Sequence, residues 1–223
     1  RLIHIALDRI GYMFHTLKDV CINSKEIKPG DLFVPIIGER VDAHRFIESA
    51  LHTGAATLTS QHTDIVVSEK PFVYVSDTEK ALQDIGAYVR RKFKKPVIGV
   101  TGSVGKTTTR QMIATVLSGC LNVYQTEGNL NSQIGVPLTL RRIDENAEAA
   151  VLEMGISEPG QMEILSDMVK PDICVVTMIG VAHIEFMKTR ESEVPKPCRE
   201  YPQREVVDYQ SYEPGWCAVP KWR

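Results

Sequence analysis

TGSVGKTTT, Thr101–Thr109, follows the β-branched run PVIGV (96–100) and opens an apolar-periodic segment. The order strand, glycine loop, helix defines a phosphate-binding site. Gly102 and Gly105 let the backbone curl so that successive N–H groups of Ser103, Val104 and their neighbours turn inward on phosphate oxygens. The following helix adds its positive N-terminal end. Lys106 is placed to reach terminal phosphates as a point charge, and the hydroxyl of Thr107, with Thr108 beside it, stands where such loops hold magnesium. The strict motif needs glycine five positions before Gly105. That position is Val100 and the nearest glycine is Gly99, so the loop is a shorter variant.

Outward from the loop, apolar runs at Val97–Val100, Leu121–Gln125, Ala149–Leu152 and Ile173–Thr177 read as four strands separated by helical or loop segments, the pattern of a parallel sheet. The helix after the loop is expected to bury Met112, Ile113, Val116 and Leu117 and to stop at Gly119. A second places Met162, Leu165, Met168 and Val169 on its core face, and Pro171 ends it.

Towards the N-terminus, Pro29-Gly30 marks a turn before a short strand, Leu32–Ile36. A helix from about Ala43 buries Phe46, Ile47, Ala50 and Leu51, with Gly54 as its C-terminal cap, and small strands follow at Ile65–Val67 and Phe72–Val75. Asp77 caps a helix with the apolar face Ala81, Leu82, Ile85, Val89 and Phe93 and a basic end, Arg90–Lys95. Pro96 marks the boundary to the next domain. Before Cys21 the reading is thin: a helix-like repeat broken by Gly11, with His4 and His15 as packing residues.

The fold class expected is α/β: a small α+β N-terminal domain over 1–94, a P-loop-type parallel-sheet nucleotide-binding domain over 95–192 that stops short of a full sheet, and an irregular tail over 193–223. A chain of 223 residues is long enough for more than one domain. A net charge of −2 supplies no general field for nucleic acid or anionic membrane. The odd, scattered cysteines (Cys21, Cys120, Cys174, Cys198, Cys217) form no CxxC pair and fit a reducing cytosol. No apolar stretch approaches a membrane span, and the start, at Arg1, lacks a signal-peptide pattern.

Functional residues of parallel sheets gather at the carboxyl ends of strands. Glu153 directly follows Ala149–Leu152, where a carboxylate can hold magnesium opposite the phosphate loop. Asn129 and Asn131 follow the second strand, and His183 follows the fourth by a short loop.

TGSVGKTTT, EGNLNSQIGVPLTL, VLEMG and AHIEF, in this order, resemble the Mur ligase family, and PGDLFVPIIGERVDAHRFIESALHTGAA resembles the uridine-nucleotide-binding domain of its peptidoglycan members. The resemblance extends from about Asp19 to Ser192. It implies a cytoplasmic, monomeric ligase of cell-wall precursor synthesis that uses ATP and Mg2+. The expected substrates are UDP-N-acetylmuramoyl-tripeptide and D-alanyl-D-alanine, joined through an acyl phosphate. It further implies that Lys106 steadies the transferring phosphoryl group, that Thr107 and Glu153 hold one magnesium ion, and that His183 helps to hold a second. Asn129 and Asn131 would contact substrate.

The family's Asp-Ser-Arg motif for the uridine diphosphate appears here as Asn23-Ser24-Lys25, so that Ser24 and Lys25 carry the expected contact with a lysine in place of a planar guanidinium. Asp42 and His44 stand in the family's Asp-Gly-His turn, here Asp42-Ala43-His44, and Asn131-Ser132-Gln133 replaces Asn-Asn-Glu. From about Glu193 the pattern is lost, and the place of the family's metal-assisting lysine falls at Pro197, beside Lys196. The expectation is a truncated or frame-disrupted ligase without turnover of its own. A non-catalytic module that binds ATP or a uridine-diphosphate sugar is the alternative from another class. The related folate-polyglutamating ligases share the phosphate loop and are not expected to carry the PGDLFVPIIGER segment.

Overall fold

Short apolar runs bounded by Gly, Pro and Asp become two parallel sheets in a computed structural model that describes residues 17–61, 70–178 and 205–208. The chain divides into two units between Ile85 and Gly86.

In the first unit β1 (Val20–Cys21), β2 (Leu32–Phe33), β3 (Ala56–Thr59) and β4 (Phe72–Tyr74) form a sheet in sequence order, every pairing parallel. Between β2 and β3 runs a 3-10 turn, Ala43–Phe46, that continues into α1 (Ile47–Thr53). Ile47, Ala50 and Leu51 recur at helical spacing and pack on Ile27 and Phe33. Gly54 does end this helix, with extended backbone (φ −64°, ψ 166°) rather than a left-handed cap. Its lack of a side chain serves close packing, since an added Cβ would lie 2.5 Å from Ile27 Cδ1.

A long helix, α2 (Thr78–Lys92), spans the division. Asp77 accepts from the Lys80 amide at 3.0 Å, the N-cap geometry. Ala87 and Phe93 at its C-terminal end pack on the second unit's core.

The second unit holds β5 (Val97–Thr101), α3 (Lys106–Leu117), β6 (Val123–Gln125), α4 (Gly135–Arg141), β7 (Ala149–Glu153), α5 (Gln161–Val169), β8 (Ile173–Val176) and β9 (Glu205–Asp208). Its five strands are all parallel, in the order β6-β7-β5-β8-β9. Alternation along β5 and β7 divides the core in two. Val97, Ala150, Leu152 and Met154 meet α4 and α5 on one face; Ile98, Val100 and Val151 meet Ile113, Ala114 and Leu117 of α3 on the other. Burial on both faces explains the unbroken apolar text of these strands. Cys174, in β8 opposite Gly99, has no exposed surface. Among the described residues no helix is long and apolar enough to cross a membrane.

Two expectations need correction. The buried face of α3 is Arg110, Ile113, Ala114 and Leu117, not the face of Met112 and Val116, which are 65% and 76% exposed. Both sets have helical spacing, and the chain buries the one that carries Arg110 towards β7. In the tail expected to be irregular, Glu205–Asp208 form β9, paired in parallel with β8, so the sheet has five strands rather than four. The expected strand Ile65–Val67, the segment holding His4 and His15, and His183 with the AHIEF motif lie outside the described residues.

Candidate functional site

In the strand order β6 and β7 lie on one side of β5 and β8 on the other, and the glycine loop sits at the carboxyl end of β5, at this switch in the order. Gly102 and Gly105 have φ of 128° and 87°, both in the region that favours glycine. Gly105 is also the N-cap of α3 and offers no side chain to the helix's first amides. The loop is clasped from β8: Thr177 Oγ1 lies 2.6 Å from the Val104 carbonyl and 3.1 Å from that of Thr101, and the Ser103 amide donates to the Met178 carbonyl at 2.6 Å. Lys106 Nζ folds over the loop and donates to the Gly102 carbonyl at 2.6 Å.

Glu153, the last residue of β7 and 2% exposed, stands opposite. Its Oε1 accepts from Thr107 Oγ1 at 3.2 Å and from Asn131 Nδ2 at 2.9 Å, and its backbone amide donates to Thr126 Oγ1 at 2.9 Å. Among the described residues Oε2 has no hydrogen-bond partner, and it faces Arg110 Nε at 3.6 Å. The structure thus brings together Lys106, Thr107, Asn131 and Glu153 from three separate stretches of sequence. Asn129 is exposed on the same β6–α4 connection, and its carbonyl accepts from the Asn131 amide at 2.8 Å. Thr108 is exposed on the first turn of α3.

Sequence reasoning passed over Thr101, Arg110, Thr126 and Thr177. Three of these are threonines at the carboxyl ends of β5, β6 and β8, so the strand-end rule that found Glu153 would have found them too. Arg110 had a weaker signal, a cation on the face of α3 where an apolar residue is expected.

A buried carboxylate with an unfilled acceptor oxygen, next to a threonine hydroxyl at a phosphate loop, fits a hard cation. Magnesium bound with a nucleotide takes one or two protein oxygens and completes its shell with phosphate and water. Among the described residues no three or more His, Cys, Asp and Glu side chains gather as a metal cage.

In the first unit the expected substrate residues lie at the carboxyl end of the sheet. Ser24 and Lys25 occupy the turn after β1, which the Asn23 side chain holds by accepting from the Lys25 amide at 3.1 Å. Asp42 caps the 3-10 turn through the His44 amide at 2.9 Å. His44 is buried and both ring nitrogens have partners: Nδ1 lies 2.7 Å from Asp42 Oδ1, and Nε2 lies 3.1 Å from the Ser60 amide and 3.0 Å from Ser60 Oγ. The imidazole therefore ties the turn to the end of β3, and Asp42 and Ser60 are the partly exposed members of the trio. Burial works against ionisation of Asp42, but the His44 amide and ring and the Gln61 side chain outweigh it and hold the carboxyl below its usual range.

Fold and loop together define a nucleotide-binding α/β protein of the phosphate-loop class. Residues 16–91 match the model for the Mur ligase family catalytic domain, and residues 100–194 match that for the Mur ligase middle domain. The chain belongs to the Mur ligase family. Its relatives include the UDP-N-acetylmuramoyl-tripeptide--D-alanyl-D-alanine ligases of Synechocystis sp., 41% identical over 172 residues, and of Bacillus subtilis, 40% identical over 173 residues. Each match covers 77% of this chain and 38% of the relative. Similar solved structures include MurF from Acinetobacter baumannii (TM-score 0.75, 31% identity, 86% of this chain and 43% of that one). Another is MurF ligase from Thermotoga maritima in complex with ADP (TM-score 0.73, 31% identity, 86% and 50%). The chain spans less than half the length of these curated relatives.

Proposed function

We propose that the chain carries the uridine-nucleotide and ATP-binding parts of a cytoplasmic, monomeric ligase that adds D-alanyl-D-alanine to UDP-N-acetylmuramoyl-tripeptide. The observation that carries this reading is the convergence of Lys106, Thr107, Asn131 and Glu153 on the carboxyl end of one parallel sheet. In the reaction the tripeptide's terminal carboxylate attacks the γ-phosphorus of ATP and ADP leaves. The amine of D-alanyl-D-alanine then attacks the acyl phosphate carbonyl and phosphate departs. Positioning and charge neutralisation supply most of the rate.

The loop amides and Lys106 bind and orient the phosphates, Lys106 exchanging its carbonyl contact for phosphate oxygen. Thr107 and Glu153 would hold magnesium, which supplies neutralisation of phosphate charge when bound. Asn131 fixes the Glu153 rotamer from one side, and Asn129 faces the acceptor substrate. Ser24, Lys25 and Asp42 bind the uridine diphosphate, and His44 acts through Asp42 and Ser60 by holding the turn. His183, as the resemblance implies, serves a second metal ion.

Calorimetric titration of the whole chain with magnesium-ATP, then with the UDP-linked tripeptide, tests this reading. Binding of both, with ATP binding lost in Lys106→Ala and tripeptide binding retained, is the expected result; a folded chain that binds neither would overturn it. Because the chain spans only 38% of its relatives, a second reading is a binding module that competes with a complete ligase. Phosphate release that depends on D-alanyl-D-alanine separates the two, being absent in a module.

A further inference from the structure

Arg110 is a charged side chain in the interior of the second unit, 6% exposed, whose Nε and Nη1 have no hydrogen-bond acceptor among the described residues. It stands one helical turn beyond Thr107, on the same face of α3. The helix therefore presents a hydroxyl and a guanidinium, three residues apart, to the two oxygens of one carboxylate: Thr107 Oγ1 to Oε1 at 3.2 Å, Arg110 Nε to Oε2 at 3.6 Å. Asn131 Nδ2 completes the hold on Oε1 at 2.9 Å. The longer distance on the Oε2 side means that Arg110 balances the charge of Glu153 and leaves the lone pairs of that oxygen unfilled. Burying an ionised carboxylate is costly without a nearby cation, and a hydrogen-bonded arginine would have closed Oε2 to other partners.

We infer that Arg110 is a positioning residue for the divalent cation bound with nucleotide: its guanidinium beside Oε2 holds the Glu153 carboxylate in one orientation while leaving Oε2 free as a ligand. The inference rests on the nucleotide-binding reading of the loop. Removal of a group that orients a metal-ligating carboxylate characteristically weakens metal affinity by about 10- to 100-fold.

The test is electron paramagnetic resonance titration of the full chain with Mn2+ in the presence of ATP, for wild type, Arg110→Gln and Arg110→Lys. The expected result for Arg110→Gln is Mn2+ affinity weaker by about tenfold or more, with a broadened bound-Mn2+ spectrum that reports a less ordered ligand set. Metal-free ATP binding and the far-ultraviolet circular dichroism stay at wild-type values, and Arg110→Lys recovers most of the affinity. Arg110→Gln binding Mn2+ as well as or better than wild type, while wild type binds normally, would overturn this inference alone. Failure of wild type to bind Mn2+ with ATP would overturn the nucleotide reading as well. If Arg110→Gln does not fold, Arg110→Lys alone decides: an unaltered bound-Mn2+ spectrum and affinity support the role of the charge, and an affinity drop equal to that of Glu153→Gln overturns it.

Discussion

Gly105 shows how much of the site is decided by single residues. Its φ of 87° is a conformation in which a side chain costs about 1–2 kcal/mol, and no heavy atom lies within 3.8 Å of an added Cβ, the nearest being Thr177 Cβ at 3.9 Å. Gly105→Ala is therefore expected to lose about that much stability through backbone strain alone, read as a lower urea midpoint, and to weaken nucleotide binding as the loop amides turn away. Asp42 belongs to the same scale. Its carboxyl is held below its ordinary 3.8 in the folded chain, so the unfolded chain binds that proton more tightly. The resulting stabilisation is complete above the ordinary value and fades as pH falls through the lower folded value. Acid titration of stability should show that loss in wild type and a flatter acid limb in Asp42→Asn. The residues legible in the sequence were those with backbone or strand-end signatures: Gly102, Gly105, Lys106 and Glu153. Arg110 and the internal pairing of His44 were not, because a buried cation and a buried imidazole are recognisable only beside the carboxylates they face.

Helices bring the site residues into place, and their ends carry part of the energy. At the C-terminus of α5, Arg90 donates to the carbonyls of Val169 at 2.6 Å and Lys170 at 2.9 Å, and also reaches Phe93 and Asp172. Arg90→Ala leaves these acceptors without their cation and is expected to cost about 1–3 kcal/mol. Lys170 caps the same helix with φ 42°, a left-handed conformation that glycine adopts freely. Lys170→Gly should therefore raise stability by about 1 kcal/mol, measured as a higher midpoint in denaturant. The mistaken face of α3 belongs here too. Apolar spacing was read as one face through Met112, Ile113, Val116 and Leu117; Ile113 and Leu117 do pack inward, with Ala114, while Met112 and Val116 face out. Periodicity identifies a helix more readily than it identifies its inner side when both sides are apolar.

At the scale of the whole molecule, the second parallel sheet was legible from the spacing of short β-branched runs, while the parallel pairing of the first sheet and the strand that ends the second were not. Glu205–Asp208 lies among prolines and tryptophans without a period, and its pairing with β8 is made by backbone groups that any sequence possesses. A chain ending at Arg204 would leave the outer edge of β8 unpaired. It should show a lower melting temperature and concentration-dependent aggregation by light scattering. Cys174 lies on that same β8, between β5 and β9 in the strand order, and has no exposed surface. A variant that keeps this thiol and replaces the other four cysteines by serine would carry its own clock. A disulfide reagent can reach the sulfur only while the sheet is open, so the rate of its reaction counts openings directly, and any ligand that tightens the glycine loop across β5 and β8 would slow the count.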